Sequence, residues 1–154
     1  MLRNFLKTNN DVALTVLRLV LGIVFFAHGA QKVFGWFGGY GFAATLQYMG
    51  GLGIPKALAL LAIAAEFGGS ILLIFGALTR LGALGIIGIM VGAIATVHIK
   101  IGFFMNWTGQ QKGEGFEFHL LALVIALALL IRGGGAFSVD GALTQTRTGM
   151  RKAA

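Results

Sequence analysis

Four apolar stretches, at about 12–34, 57–78, 81–99 and 116–131, take up most of this 154-residue chain and leave only short connections between them. A hydrocarbon core about 30 Å thick is crossed by about 20 helical residues. Inside it, each backbone N–H and C=O must be satisfied within the protein, which favours helices. The stretches therefore predict an all-α integral membrane protein, a four-helix transmembrane bundle. A soluble protein with four buried helices fails on supply. With 57% hydrophobic and 11% charged residues, too little polar sequence remains to cover such a core, whereas soluble domains carry about 25% charged residues. We divide the chain into one membrane domain over 1–134 and a polar, mobile C-terminal tail over 135–154, which opens on the glycine run after Arg132.

The N-terminus imitates a signal peptide, with Arg3 and Lys7 ahead of an apolar run. That run contains Arg18 and continues to Phe34, too long and too interrupted for a cleaved segment, so it reads as a retained helix. Four crossings place both termini and the 79–80 turn on one side, with seven basic residues: Arg3, Lys7, Arg80, Arg132, Arg147, Arg151 and Lys152. The other side has four, Lys32, Lys56, Lys100 and Lys112. The positive-inside rule then puts both termini in the cytoplasm of a bacterium, with the bundle in its cytoplasmic (inner) membrane. The net charge of +7 fits loops facing anionic membrane lipid better than nucleic acid. With no cysteine, the chain has no disulfide, thiolate nucleophile or thiolate-held iron–sulfur cluster. Redox chemistry would need a bound cofactor, a quinone or a partner protein.

Aromatic residues gather on the outer side. Trp36, Phe37, Tyr40, Phe42 and Tyr48 lie in the first loop, and Phe103, Phe104, Trp107 and Phe116 in the last. They form an interfacial belt, or a mouth of Trp36, Phe37, Tyr40, Phe104 and Trp107 admitting a flat apolar ligand. Phe42, Leu46 and Met49 fall at helical spacing, which predicts a short helix lying in the interface. Pro55 suits the first turn of the second span. Small residues mark packing faces: Gly22 and Gly29 in the first span, Ala62, Ala65, Gly69 and Gly76 in the second. The third carries Gly82, Gly85, Gly88, Gly92 and Ala95. Such faces let helix backbones approach closely, within one chain or between copies, so a homo-oligomer is among the expected assemblies.

Ionisable residues inside a span normally face one another or a polar cavity. Counted from the cytoplasmic ends at 1.5 Å per residue, Arg18 lies roughly 9 Å deep and Glu66 roughly 15 Å. An arginine side chain spans that offset, so an Arg18–Glu66 ion pair is expected as the intramembrane polar site. A second group collects outward: His28, Gln31 and Lys32 on the first span, His98 at the end of the third, and Glu117 and His119 at the start of the fourth. Glu117 and His119 point about 200° apart on a helix. Because Leu121 and Val124 continue its face, Glu117 is expected to look into the bundle and His119 to lie at the interface or between helices. His28, Gln31, Lys32, His98 and Glu117 are the candidate ligand or proton residues. No spacing matches a metal site. A bis-histidine haem would need facing histidines, and a quinone could be held by a His–Glu–Lys group that also relays protons. Snorkelling polar side chains are the bland alternative.

These residues also carry a resemblance. Arg18-Leu-x-Leu-Gly22, Phe25-Phe26-Ala27-His28-Gly29-Ala30-Gln31-Lys32 and the Gly35–Gly39 loop resemble the start of DoxX-family membrane proteins. Glu66-Phe-Gly-Gly69, Leu72-Leu73-x-x-Gly76-x-x-Thr79-Arg80, Val97-His98, Gly113-Glu114-Gly-Phe-Glu117 and Gly135-Ala-Phe-Ser138-Val-Asp140 continue it in order, over about 14–141. The resemblance implies a four-helix membrane protein linked to quinol oxidase or thiosulfate:quinone oxidoreductase complexes, to quinone detoxification and to oxidative stress. The family-typical positions are Arg18, Gly29, Lys32, Glu66, Gly69, Arg80, His98 and Glu117. A chain without cysteine or a soluble dehydrogenase domain would need another electron route for sulfur oxidation.

The expectation is a quinone-associated redox subunit or quinone-handling membrane protein, with no autonomous catalytic motif. His98 and Glu117 would hold the quinone oxygens, Lys32 would polarise them, and the catalytic residues stay unassigned. Two rivals are a scaffold that anchors a soluble redox partner protein through its basic tail, and a carrier of small solutes or protons with Glu66 as the titrating group.

Overall fold

The structure, a computed structural model, describes residues 5–144. Four long helices form an antiparallel bundle: α1 (Val12–Phe34), α3 (Lys56–Phe75), α4 (Thr79–Thr96) and α5 (Glu117–Arg132). A short helix, α2 (Gly41–Gly51), lies between α1 and α3. α1, α3 and α4 are long and apolar enough to cross a membrane. α5 has 16 residues, about 24 Å of helix, and runs back beside α4; the bundle end at the α3–α4 turn is labelled inner and the opposite end outer. None of the residues of α2 is buried, as suits a helix resting in the interface.

Local chemistry sets the ends. The Asp11 carboxylate accepts from Ala13 N at 2.8 Å and caps α1, the usual service of an acidic N-cap. α1 stops at Gly35 and α3 at Gly76, both left-handed with φ of 74° and 66°, where glycine carries no Cβ penalty. Pro55 is the N-cap of α3 rather than its first helical residue. The left-handed backbone at Gly76, followed by Leu78 at φ 48°, ends α3 before residue 78 and starts α4 at Thr79, two residues ahead of the expected span.

The side chains are distributed as a bilayer requires. Val16, Val20 and Ile23 of α1, Leu84 and Val91 of α4, and Leu121 and Val124 of α5 point outward. Arg18, Glu66 and His119 are buried, with a core of Leu21, Phe25, Leu73, Ile86, Ala126 and Leu129. The expected small faces are used where helices cross. A Cβ on Gly29 would meet the Cα of Phe67 at 2.8 Å, and one on Gly82 would meet Gly69 O at 2.9 Å. Gly85 faces Ala65, whereas Gly88 and Gly92, farther along the same stripe, have nothing within 4 Å. The stripe therefore packs over its inner half alone.

The segment expected to leave the bundle as a polar tail instead folds back onto it. Ser138 and Asp140 are buried, and Asp140 accepts from Leu78 N and Thr79 N, both at 2.8 Å, at the start of α4. A carboxylate at a helix N-terminus satisfies orphan donors and complements the helix dipole, which draws 135–144 inward. Residues 145–154, and the Arg3, Arg147, Arg151 and Lys152 of the charge count, lie outside the described residues.

Gly76 sits where these parts meet. A Cβ there would lie 2.6 Å from that of Ser138 and 2.9 Å from Arg18 Cζ. Gly76→Ala combines left-handed strain with overpacking and should lower stability by about 2–4 kcal/mol. Denaturant unfolding in detergent micelles measures it, with Gly88→Ala, in open space, expected to behave as wild type.

Candidate functional site

Polar side chains occupy two levels of the bundle. At the inner level Arg18, 1% exposed, is surrounded by carbonyls. Its Nε donates to Gly134 O at 2.7 Å, Nη1 to Ile74 O at 2.7 Å and to Leu73 O, and Nη2 to Phe137 O at 2.7 Å. The last four carbonyls of a helix lack intrahelical partners, and Leu73 and Ile74 belong to that set in α3. A guanidinium offers five N–H donors in a planar fork, so one side chain can serve the end of α3 and the returning C-terminal segment together. The opposite charge acting on it comes from Asp140.

The expected Arg18–Glu66 ion pair is not formed. Leu73 and Ile74 lie seven and eight residues beyond Glu66, about 11 Å along α3. The inner ends of α1 and α3 are not flush: Gly22, ten residues into α1, lies against Ile74 near the end of α3. The end of α3 takes its guanidinium instead, through Ile74 O and through Leu73 O, which also accepts from Gly76 N. Glu66 pairs with Lys32, Nζ to Oε1 at 2.8 Å, with side chains 5% and 28% exposed. This is the ion pair among the described residues, and it links α1 to α3. Gln31 Nε2 donates to Phe37 O at 3.1 Å and so serves the loop after α1.

The histidines meet in the outer half. His98, in the turn after α4, has Nδ1 at 2.7 Å from Glu114 O. A carbonyl only accepts, so Nδ1 carries the hydrogen and neutral His98 leaves Nε2 as an acceptor. The rings of His98 and His119 lie 4.0 Å apart at 44°. His119 is 6% exposed, and its buried Nδ1 has no hydrogen-bond partner among the described residues. Phe118 joins the set, its ring 5.7 Å from His119, 6.4 Å from His28 and stacked on Phe25 at 6.3 Å.

Glu117 and His119 exchange the places expected of them. Glu117 holds the outer loop, Oε1 accepting from Met105 N at 2.9 Å and Trp107 Nε1 at 3.0 Å. His119 is the inward group. Leu121 and Val124, on the face expected to look inward, face outward at 67% and 66% exposure, because lipid is as apolar as a leucine core and helix seams prefer small residues. The signal was present as His119, Ala122, Ala126 and Leu129, the buried positions of α5.

The aromatic mouth resolves into two groups. Trp36 and Phe37 contact each other, and Trp36 also Phe34. Phe104 contacts Phe103, while Tyr40 and Trp107 are 89% and 84% exposed. No ring contact joins the two loops among the described residues, and the exposure is that of a belt. No group of three or more His, Asp or Glu side chains is placed to hold a metal ion among the described residues. A haem iron between His98 and His119 has no room, since their rings are already 4.0 Å apart.

The DoxX family profile matches residues 13–99, more than half of the chain. The chain belongs to the DoxX family. This DoxX protein is 31% identical over 130 residues to the Bacillus subtilis (strain 168) protein named "Putative oxidoreductase CatD", covering 84% of this chain and 86% of the relative. It is 32% identical over 140 residues to Escherichia coli (strain K12) inner membrane protein YqjF, covering 91% and 98%. It is 30% identical over 134 residues to inner membrane protein YphA of the same strain, covering 84% and 89%. No solved structure matches it. With its spans and these relatives, the DoxX chain is a multi-pass inner-membrane protein.

The ion pair makes an asymmetric prediction for this DoxX protein. Lys32→Met strands the buried Glu66 carboxylate and should cost about 3 kcal/mol. Glu66→Gln keeps an acceptor for the more exposed lysine and should cost about 1 kcal/mol. Thermal unfolding of the two variants in the same detergent compares them, and equal losses would mean that the pair acts only as bulk.

Proposed function

We propose that this DoxX protein is a quinone-handling redox subunit, with the quinone head group held in the outer half of the bundle against His119. The observation that supports it is the buried His119 Nδ1, which lacks a partner among the described residues. A buried polar atom of this kind normally has one. It lies beside a second imidazole and a patch of rings, where a flat ring with an oxygen at its edge would supply the missing hydrogen bond. A bound quinone carries the two-electron, two-proton chemistry.

The chain's own residues bind, orient and exclude water. His119 Nδ1 donates to a ring carbonyl or accepts from a ring hydroxyl, according to its tautomer. His98 is held by Glu114 O and packs against His119 at a tilt, fixing its ring. Phe25 and Phe118 supply an apolar wall, and Glu117 keeps Trp107 and the outer loop in place. Lys32, engaged by Glu66, polarises the head group only if that pair opens, so His119 replaces Lys32 and Glu117 as the central group. No cysteine is present to take electrons, so they pass to or from a partner redox protein. The carrier reading has less support, since its titrating group, Glu66, is already ion-paired. We place both termini in the cytoplasm from the excess of basic residues on that side.

The test is quenching of Trp36 and Trp107 fluorescence by decyl-benzoquinone in nanodiscs. His119→Phe, which keeps an aromatic ring and removes both ring nitrogens, should weaken binding about tenfold, or about 1.4 kcal/mol. Equal affinity in both proteins would sink the reading.

A further inference from the structure

We infer that the His119 site is reached sideways from the lipid, through the seam between α1 and α5, with His28 at its threshold. The inference rests on the quinone reading and adds the route and the ligand class: a molecule dissolved in the bilayer, with a polar ring head and an apolar tail.

His28 carries the argument. It lies six residues before the end of α1, about 9 Å below the outer end of that helix, and it is exposed. Its ring contacts are Phe25 and Phe118, and its ring nitrogens have no hydrogen-bond partner among the described residues. A polar ring presented to hydrocarbon is costly and marks a functional position. From it the path runs inward through His28 at the surface, Phe118 half-buried and His119 buried. A head group entering there exchanges one imidazole contact for the next.

Two further observations favour this seam. α1 approaches α3 backbone to backbone through Gly29, and α3 meets α4 through Gly69 and Gly82. α5 contains no glycine and the glycines Gly22 and Gly29 of α1 face α3, so near His28 α1 and α5 meet through the rings of Phe25 and Phe118, which can swing where close-packed backbones cannot. The aqueous end is fastened instead. The loop between α4 and α5 is tied down by Glu117 to Met105 and Trp107, by Glu114 Oε2 to Asn106 N at 2.7 Å, and by His98 to Glu114 O. A tail left between α1 and α5 would stay in the lipid while the head reaches His119.

The chain's lack of cysteine makes the test site-specific. His28→Cys, labelled with a bulky maleimide in nanodiscs, is compared with its unlabelled form and with labelled Val91→Cys, on the lipid-facing side of α4. Stopped-flow quenching by decyl-benzoquinone should show association and dissociation both slowed about tenfold by the label at 28, with Kd little changed, as a gate requires. The label at 91 should change neither rate. An unchanged association rate at 28, or equal slowing at 28 and 91, overturns the lateral route. Failure of the wild-type protein to bind, or wild-type binding by His119→Phe, overturns the quinone reading instead, so the two failures are distinct.

Discussion

A guanidinium withdrawn from water must be given acceptors for its N–H groups, and Arg18 obtains them from segments distant in sequence. Two are carbonyls at the end of α3 and two belong to the returning stretch at Gly134 and Phe137. The same stretch sends Asp140 to the start of α4, while its backbone N–H donates to Gly76 O at 2.9 Å. Gly76 N and Ala77 N cap Leu73 O and Leu72 O, and Arg18 adds the bonds to Ile74 O and Leu73 O, while Asp140 answers Leu78 N and Thr79 N. Burial of both helix ends relies on these bonds.

The register fixed there propagates outward. With Arg18 held at Leu73 and Ile74, α1 runs antiparallel to α3 so that Gly22 meets Ile74 and Gly29 meets Phe67. Each step up one helix is a step down the other, and the next turn of α1 brings Lys32 to Glu66. The ion pair is therefore a consequence of register as well as a contributor to it. This explains how a lysine near the end of one helix finds a carboxylate in the middle of another.

Much of this was legible in the sequence. Hydropathy gave the spans, small residues gave the crossings at Gly29 and Gly82, and the spacing of Phe42, Leu46 and Met49 gave α2. What could not be read depended on partners far along the chain. The identity of Arg18's acceptors required knowing that α3 ends at Gly76 and that residues 134–140 return to it. The exchange of Glu117 and His119 has another cause. A face of large apolar residues marks the core in water but the lipid side in a membrane, and His119 with Ala122 and Ala126 was the face to follow. The division of the rings between two loops was readable, but whether ring contacts join those loops was not.

Satisfaction of polar atoms separates the two levels by capacity for function. A site that binds something must keep an atom unanswered until the ligand arrives. Among the described residues the inner level keeps only a hydroxyl so, Thr79 Oγ1, and it is walled in: a Cβ on Gly134 would lie only 2.5 Å from it. Arg18 and Asp140 are engaged there with backbone partners. The outer level keeps His119 Nδ1 unanswered beneath His98 and leaves His28 at the lipid surface. Rigid packing below and incomplete hydrogen bonding above suit the proposal that the inner end fixes geometry while the outer half exchanges a ligand with the membrane.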